Sequence, residues 1–585
     1  MPESQPFILL DSYRNGDFDR SWRFSGQVET LQALKPAEIV PLLTKVEKSA
    51  AAGLHAVGFI TYEAAAGLNP DLPSLPPLEG LPLAWFAIFS ERLEAATGET
   101  PSSGAAPPPC LEPDTSQKSY LCNVERIRDY IACGDSYQVN YTFGMSGDYS
   151  GDPLALYRQI STRQGASFCA YIDTGRFSVI SASPELFFCL KDGLLRTRPM
   201  KGTAGRGRWL AEDAAQITTL RGSAKECAEN LMIVDLLRND LGIIARTGSV
   251  KVESLFDVET YPTLHQLTST VSARIREGIG LAEIFAALFP CGSVTGAPKR
   301  RSMEIINELE AGPRGVYCGA VGYVAPGGEA LFSVAIRTLL YDKELQQLRL
   351  GIGSGITTDS EASQEFQECL TKSAFLFPRS EAFSLIESLR LEDGQYYLLK
   401  RHLERLDSSA RFFGFNLDMV AVEYALESQA EGSAGIRKVR LSVAENGKFV
   451  LASEPVTASA ELLRFAISGR RVDSKDPFRY HKTTCRGLLD SAGIERSDCD
   501  ETVFLNERGE LTEGSYHNLL LKIDGRMQTP RLESGLLAGV MRQELLEEGE
   551  AIEATLFPAD LARAAEIWLI NSVRGVRRAV FVAGE

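Results

Sequence analysis

Two pairs of glutamates stand three residues apart: Glu226 and Glu229 in KECAEN, and Glu365 and Glu368 in QEFQEC. On a helix, positions i and i+3 share a face, so each pair presents two carboxylates together. Four convergent carboxylates repel one another unless a cation or protons intervene. Mg²⁺ suits such a place, because it takes oxygen ligands and combines one or two protein carboxylates with water and substrate oxygens. The same spacing also describes two solvated helix faces. In TRPMKGTAGRG, Lys201 stands among glycines, but the G-x-x-x-x-G-K-[ST] order of a phosphate loop is absent, which leaves a turn lysine or a nucleophile. CGSVTGAPK (291–299) is a small-residue loop entering RRSMEIINELE, and such a helix start can bind an anion through free N–H groups. Arg337, in SVAIRTLL, ends a strand-like run and offers a planar fork suited to a carboxylate.

A second set lies near the C-terminus. YHKTTCRG puts Lys482 in a loop, and ELTEGSYHNLLLK puts Glu513 at a turn before a strand. SGLLAGVMRQELLEEG has small residues at a helix start, where the N–H groups near Gly539, Val540 and Met541 could hold a phosphate, with Arg405 of HLERL adding positive charge. A lysine, a carboxylate and a phosphate site are what pyridoxal 5'-phosphate requires. Each of them alone is as readily structural.

These residues need elements to position them. At 585 residues the chain exceeds what one core supports, so at least two domains are expected. Strand-like runs PFILLDS, AVGFITYE and LAWFAIF flank a helical PAEIVPLLTKVEKSAAAG, and KECAENLMIVDLLRNDLG reads as a strong amphipathic helix. The Pro- and Ser-rich stretch at 100–117 reads as an exposed loop. The pattern restarts near Phe377 with strands AFSLIESLRLEDG and QYYLLK before the helix HLERLDSSARFFGF. We therefore expect a boundary between Phe375 and Ala382, giving domains 1–378 and 379–585. Both parts mix strands and helices, so the class is α+β or α/β. The net charge of −16 excludes a basic nucleic-acid footprint, and no apolar run is long enough to span a bilayer. Eleven scattered cysteines without a C-x-x-C pair suit a reducing compartment, and the N-terminus lacks a signal-peptide pattern, so a cytoplasmic enzyme is expected.

From about Lys118 to Phe375 the ordered stretches GDSYQVNYTF, SASPELFF, TRPMKGT, ECAENLMIVDLLRNDLG, YPTLHQLTSTV, CGSVTGAPK, YCGAVGYV, AIRT, GIGSGITTDS and EFQECL resemble the chorismate-utilising enzymes. That resemblance implies an α/β sandwich-like chorismate-binding domain. It implies Glu229 and Glu368 as Mg²⁺ ligands, supported by Glu226 and Glu365. It also implies Tyr317 and Arg337 as binders of the enolpyruvyl carboxylate, with Thr295, Gly353 and Gly355 lining the pocket, His265 near the ring, and Glu185 assisting departure of the hydroxyl. P-x-K-G-T is the pattern of the aminodeoxychorismate synthase branch, where anthranilate synthases have P-I-A-G-T. Lys201 is then the nucleophile at C2 of chorismate, its amine kept neutral by burial or by Arg198, Arg206 and Arg208. Gln138 replaces the lysine that isochorismate and salicylate synthases use to activate water, and glutamine cannot act as that base.

From about Phe383 to Val580 the chain resembles the two-subdomain fold-type IV pyridoxal-phosphate enzymes, which include branched-chain and D-amino-acid aminotransferases and aminodeoxychorismate lyases. The match implies Lys482 as the Schiff-base lysine and Glu513 as partner of the ring nitrogen. Arg405, Val540 and Met541 would hold the phosphate, with Ser572 nearby. Aminotransferases of this class have a tyrosine five residues after the lysine; here Gly487 follows Arg486 at that place. The N-terminal strand region is also shortened, and a homodimer through this domain is one arrangement the resemblance allows. Joined, the two resemblances imply synthesis of 4-aminobenzoate, a folate precursor. Chorismate would be aminated at C4 and pyruvate then eliminated. No G-x-C-x-G-x-Q glutaminase signature is present, so ammonia would come from a separate glutamine amidotransferase or from ammonium. Rival combinations are an anthranilate synthase joined to an aminotransferase, a C-terminal D-amino-acid aminotransferase, and a non-catalytic C-terminal scaffold.

Overall fold

The computed structural model describes residues 6–14, 18–96, 106–376, 383–457, 460–492 and 498–582. The chain divides into two compact units, Met1–Gly205 with Ile217–Arg379, and Arg206–Gln216 with Ser380–Glu585. The boundary expected between Phe375 and Ala382 falls largely on residues outside the described ones. Among the described residues no helix is long and apolar enough to cross a membrane.

Among the described residues of the first unit eighteen strands join through one network of pairings, with helices packed against it. The strand Gln138–Asp148 runs antiparallel to Gln347–Ile356, with Thr142 opposite Gly353 and Asn140 opposite Gly355. Two residues of the small-residue loop, Gly296 and Ala297, pair with Val139 and Gln138 on the same strand. The strand Met200–Gly205, which carries Lys201, pairs with Leu264–Arg274 and sets Ala204 opposite His265. The helix Ala224–Ile244 starts where the Ser223 side chain accepts from the Glu226 amide. It buries Ile233, Val234, Leu237, Leu241 and Ile244, a stripe of helical spacing that turns its first two turns toward the Lys201 strand. There Asn230 donates to the carbonyls of Lys201 (3.1 Å) and Leu267 (3.4 Å).

The second unit has two sheets with separate cores. The strand Leu385–Glu392 pairs with Ile436–Val443, which pairs with Phe449–Pro455, and the helices Leu399–Phe413 and Met419–Ala430 bury Leu406, Ala410, Val422 and Leu426 with that sheet. The other sheet has eight mixed strands, and the pairing of Leu511–Gly514 with Asn518–Ile523 closes six of them into a ring. Leu463, Phe465, Val503, Leu519 and Leu569 share its core.

Two local expectations are corrected. QYYLLK is not a strand: only Gln395 and Tyr396 pair, and Leu398, at φ +54°, turns the chain into the helix that starts at Leu399. The stretch at 100–117 is partly outside the described residues; its described part is not simply exposed, since Ala106 is buried, Glu112–Pro113 pairs with the Gln138 strand, and Gln117 begins a helix.

Candidate active sites

The first site gathers around Lys201. A Cβ placed on Gly355 would fall 2.5 Å from Gln138 Nε2 and 3.0 Å from Lys201 Nζ, so the glycine edge of strand Gln347–Ile356 leaves the room these two tips occupy. Burial holds the Lys201 amine below the ordinary lysine range; Glu229 opposes this, and the nearby Lys372 adds to it. The arginines expected to depress Lys201 are engaged elsewhere. Arg198 pairs with Glu259 (3.4 Å), while Arg206 and Arg208 belong to the second unit, where they pair with Asp213 (2.8 Å) and Glu212 (2.7 Å). Glu185 is buried and accepts from Ser293 Oγ at 2.6 Å. Burial pushes its carboxyl up to about 7, against the pull of Ser293 and Lys201. Near neutral pH that group holds a proton about half the time.

The four glutamates are not a preformed cage, and among the described residues no three His, Cys, Asp or Glu side chains converge as a metal site. Glu226 accepts from the Thr203 amide (3.3 Å), Glu365 from Ser360 Oγ (2.7 Å), and Glu229 from Gln138 Nε2 (3.4 Å). Glu368 pairs with Lys372 at 2.7 Å, and Lys372 also donates to the Gly353 carbonyl (3.0 Å). Burial raises the Glu229 carboxyl and the neighbouring Glu226 and Glu365 raise it further. A surplus of negative charge in a partly dry place is what a divalent cation relieves, so the donor set fits Mg²⁺.

The expected substrate residues occupy one unit but different elements. Thr295 is buried, donates its hydroxyl to the Cys291 carbonyl (3.0 Å), and accepts from the Asn140 amide through its own carbonyl (2.8 Å). Tyr317 lies against Gly351, where a Cβ would come within 2.1 Å of its ring. Arg337 follows a strand in left-handed backbone, φ +50°. Its Nη1 is buried with no protein hydrogen-bond partner among the described residues, as a carboxylate-binding fork requires. His265 is buried beside Thr260 Oγ1 (3.0 Å from Nδ1). Sequence reasoning missed Ser293, Asn230 and Lys372. Each stands within or beside a quoted motif, but no spacing rule marks a polar residue that acts on its neighbours.

The second site centres on Lys482, whose carbonyl accepts from the Ile386 amide (2.8 Å). Burial brings the Lys482 amine down to about 8, with Arg405 and Arg486 adding to the effect and Glu387 and Glu513 opposing it. Arg405 spans Glu387 with Nε (2.8 Å) and Nη2 (2.7 Å) and donates from Nη1 to the Ala538 carbonyl (3.1 Å). That carbonyl immediately precedes Gly539, the N-cap of the helix Val540–Glu547. Glu513 is buried, accepts from the Leu537 amide (3.0 Å) and Asn518 Nδ2 (3.2 Å), and is pushed up to about 7 by burial. Ser572 is buried just beyond the strand Glu566–Asn571. Gly487 opens a short helix, and Arg486 beside it donates to the Ser515 carbonyl and pairs with Asp490 (3.3 Å). A half-buried lysine of lowered basicity, a buried carboxyl and an arginine fixed beside a helix start are a donor set that fits pyridoxal phosphate.

A family model described as chorismate binding enzyme matches residues 5–378. The chain belongs to the chorismate-binding enzymes. Residues 384–580 match a second model, amino-transferase class IV, the fold that implies pyridoxal phosphate. The chain is 41% identical over 296 residues to an aminodeoxychorismate synthase of Streptomyces griseus, covering 50% of this chain and 41% of that one. It is 43% identical over 257 residues to aminodeoxychorismate synthase component 1 of Klebsiella aerogenes, covering 44% of this chain and 56% of that one. These matches span about half the length of the curated relatives. Among solved structures, anthranilate synthase component I from Streptococcus pneumoniae TIGR4 is similar with a TM-score of 0.55 at 25% identity, over 62% of this chain and 93% of that one. The class is mixed α and β, with a chorismate-binding fold followed by a class IV aminotransferase fold.

Proposed function

We propose that this chain is a bifunctional enzyme of 4-aminobenzoate synthesis, acting in the cytoplasm. Residues 1–378 would aminate chorismate at C4 with ammonia, and residues 379–585 would eliminate pyruvate from the product. The observation that carries the reading is Lys201: a half-buried residue whose amine is held by burial below the ordinary lysine range, close, like Gln138, to the Gly355 edge, and in the field of Glu229 and Glu185. Its lone pair attacks C2, the ring double bond shifts, and the C4 hydroxyl leaves. Glu185, protonated part of the time near pH 7, gives that hydroxyl its proton. Ammonia then adds at C4 and the bond to Lys201 breaks as the double bond returns. Tyr317 and Arg337 hold the enolpyruvyl carboxylate, Thr295, Gly353 and Gly355 line the pocket, and His265 stands near the ring. Glu229 and Glu368, steadied by Glu226 and Glu365, are the residues that would hold Mg²⁺. That ion, when bound, anchors the ring carboxylate and offsets charge developing at the leaving group. Ammonia comes from a separate glutamine amidotransferase or from ammonium.

In the second unit Lys482, Glu513, Arg405, the amides of Val540 and Met541, and Ser572 are the residues that would hold pyridoxal phosphate. The cofactor, when bound, supplies an electron sink for the substrate amine. Lys482 moves the C4 proton, pyruvate departs from C3, and the ring becomes aromatic. Glu513, whose carboxyl burial pushes up to about 7, would face the ring nitrogen, and Arg405 beside the start of the helix Val540–Glu547 would add positive charge for the phosphate.

The test supplies chorismate, Mg²⁺, ammonium and pyridoxal phosphate and identifies products by mass. The reading expects 4-aminobenzoate and pyruvate from the unaltered chain, no amination from Lys201→Ala, and accumulated aminodeoxychorismate from Lys482→Ala. Anthranilate as product would contradict it.

A further inference from the structure

Arg314 lies outside every motif used above, yet its side chain is buried to 2% exposure in the first unit. It donates from four of its five N–H groups. Nε and Nη2 grip Glu310 (2.9 and 2.7 Å), Nη1 reaches the Val294 carbonyl (2.7 Å), and Nη2 also reaches the Asn140 carbonyl (2.8 Å). Its own amide donates to Glu63 Oε1 (2.7 Å), and the Gly315 amide donates to Glu63 Oε2 (3.1 Å). Glu310 in turn accepts from the Thr142 amide (2.8 Å) and hydroxyl (2.9 Å). Tyr62 lies under the guanidinium, 4.5 Å from it.

The carbonyls that Arg314 holds belong to the small-residue loop and to the strand that pairs with the glycine edge beside Lys201. Val294 precedes Thr295 in the small-residue loop. Asn140 and Thr142 stand opposite Gly355 and Gly353 on the neighbouring strand. The Asn140 side chain also donates to Val294 (3.2 Å) and its amide to Thr295 (2.8 Å), so strand and loop meet at the point the guanidinium pins. Three residues beyond Arg314 comes Tyr317, whose ring seats on Gly351 of the glycine-rich strand. A planar fork is needed to reach two carbonyls and a carboxylate together; a lysine ammonium has one point of charge and cannot span them.

We infer that Arg314, clamped by Glu310 and Glu63, is a positioning residue that fixes the 291–297 loop against the strand Gln138–Asp148 and so sets the shape of the chorismate pocket. Its four engaged N–H groups all go to protein acceptors. That role rests on the chorismate reading above. Its action is first on substrate fit, so its loss should weigh more on KM than on kcat.

The experiment compares the full chain with Arg314→Lys and Glu310→Gln, measuring KM and kcat for chorismate with Mg²⁺ and ammonium, and amide hydrogen exchange peptide by peptide without substrate. The expected result is KM raised about 10- to 100-fold, with a smaller fall in kcat because Ser293 of the same loop holds Glu185, and faster exchange confined to peptides covering 291–297 and 138–142. Unchanged KM and exchange in both variants would overturn the inference, and so would exchange that rises evenly across the unit in both. An unaltered chain that neither binds nor aminates chorismate would instead sink the functional reading; the exchange pattern would still report on the clamp.

Discussion

Lys201 and Glu185 divide one task because burial moves their protons in opposite senses. A buried amine gives up its proton more easily, and a buried carboxyl keeps its own. The amination needs the neutral amine and the protonated acid at once, so Glu185, at about 7, sets an alkaline limit. Amination should fall as pH rises through about 7, as the acid form is lost. Glu185→Gln should lower kcat about 10²- to 10⁴-fold and abolish that limb, read from kcat across pH 5.5–8.5 (about the span that brackets the group). Lys482 carries a parallel prediction. Its neutral fraction grows as pH passes about 8, so covalent capture of pyridoxal phosphate, fixed by borohydride and weighed by mass spectrometry, should rise with that midpoint. Arg486→Met removes a cation that depresses Lys482 and should move the midpoint upward. A midpoint near that of a free lysine in the unaltered chain would contradict the burial argument.

At the scale of elements, glycine edges and caps decide where these groups meet. Gly355→Ala would put a methyl against the flexible ends of Gln138 and Lys201 rather than against backbone. The fold should therefore lose little stability in urea, whereas kcat should drop on the order of 10²-fold, because the displaced atoms are the reacting ones. Ser223→Ala removes the cap of the helix that carries Glu226 and Glu229, and should cost about 1 kcal/mol in the same unfolding measurement. That helix was legible in the sequence because aliphatic stripe and glutamate spacing agree along it. The strand-to-helix switch at Leu398 was not. QYYLLK is a short apolar run that suits a strand as readily as a helix, and only the left-handed turn at Leu398 shows where the helix takes over. The candidate site divides in the same way. Lys201, the glutamates and Lys482 stand in dense ordered motifs. Lys372, Ser293 and Arg314 act through contacts across the fold, and a single sequence carries no spacing for those. Arg206 and Arg208 stand close to Lys201 along the chain, but their charges are engaged by Asp213 and Glu212 within the second unit.

The molecule as a whole carries two sets of cores, those around the eighteen-strand network and those of the two smaller sheets. Two families of motif follow one another in the same order along the chain. A ligand stabilises the structure that binds it by mass action. Pyridoxal phosphate should therefore raise the calorimetric transition of the second unit and leave that of the first in place, and Lys482→Ala should reduce the shift. An equal shift of both transitions would speak against separate cores. The joined reading also predicts that Lys482→Ala leaves amination of chorismate intact, since no atom of that reaction needs the second unit. The most direct test of the whole account lies at Lys201. The unaltered chain is mixed with chorismate and Mg²⁺ without ammonium, quenched with acid, digested and weighed. The account predicts a peptide containing Lys201 heavier by chorismate less one water, absent from Lys201→Ala. A turnover-competent chain with no mass added at Lys201 would contradict it.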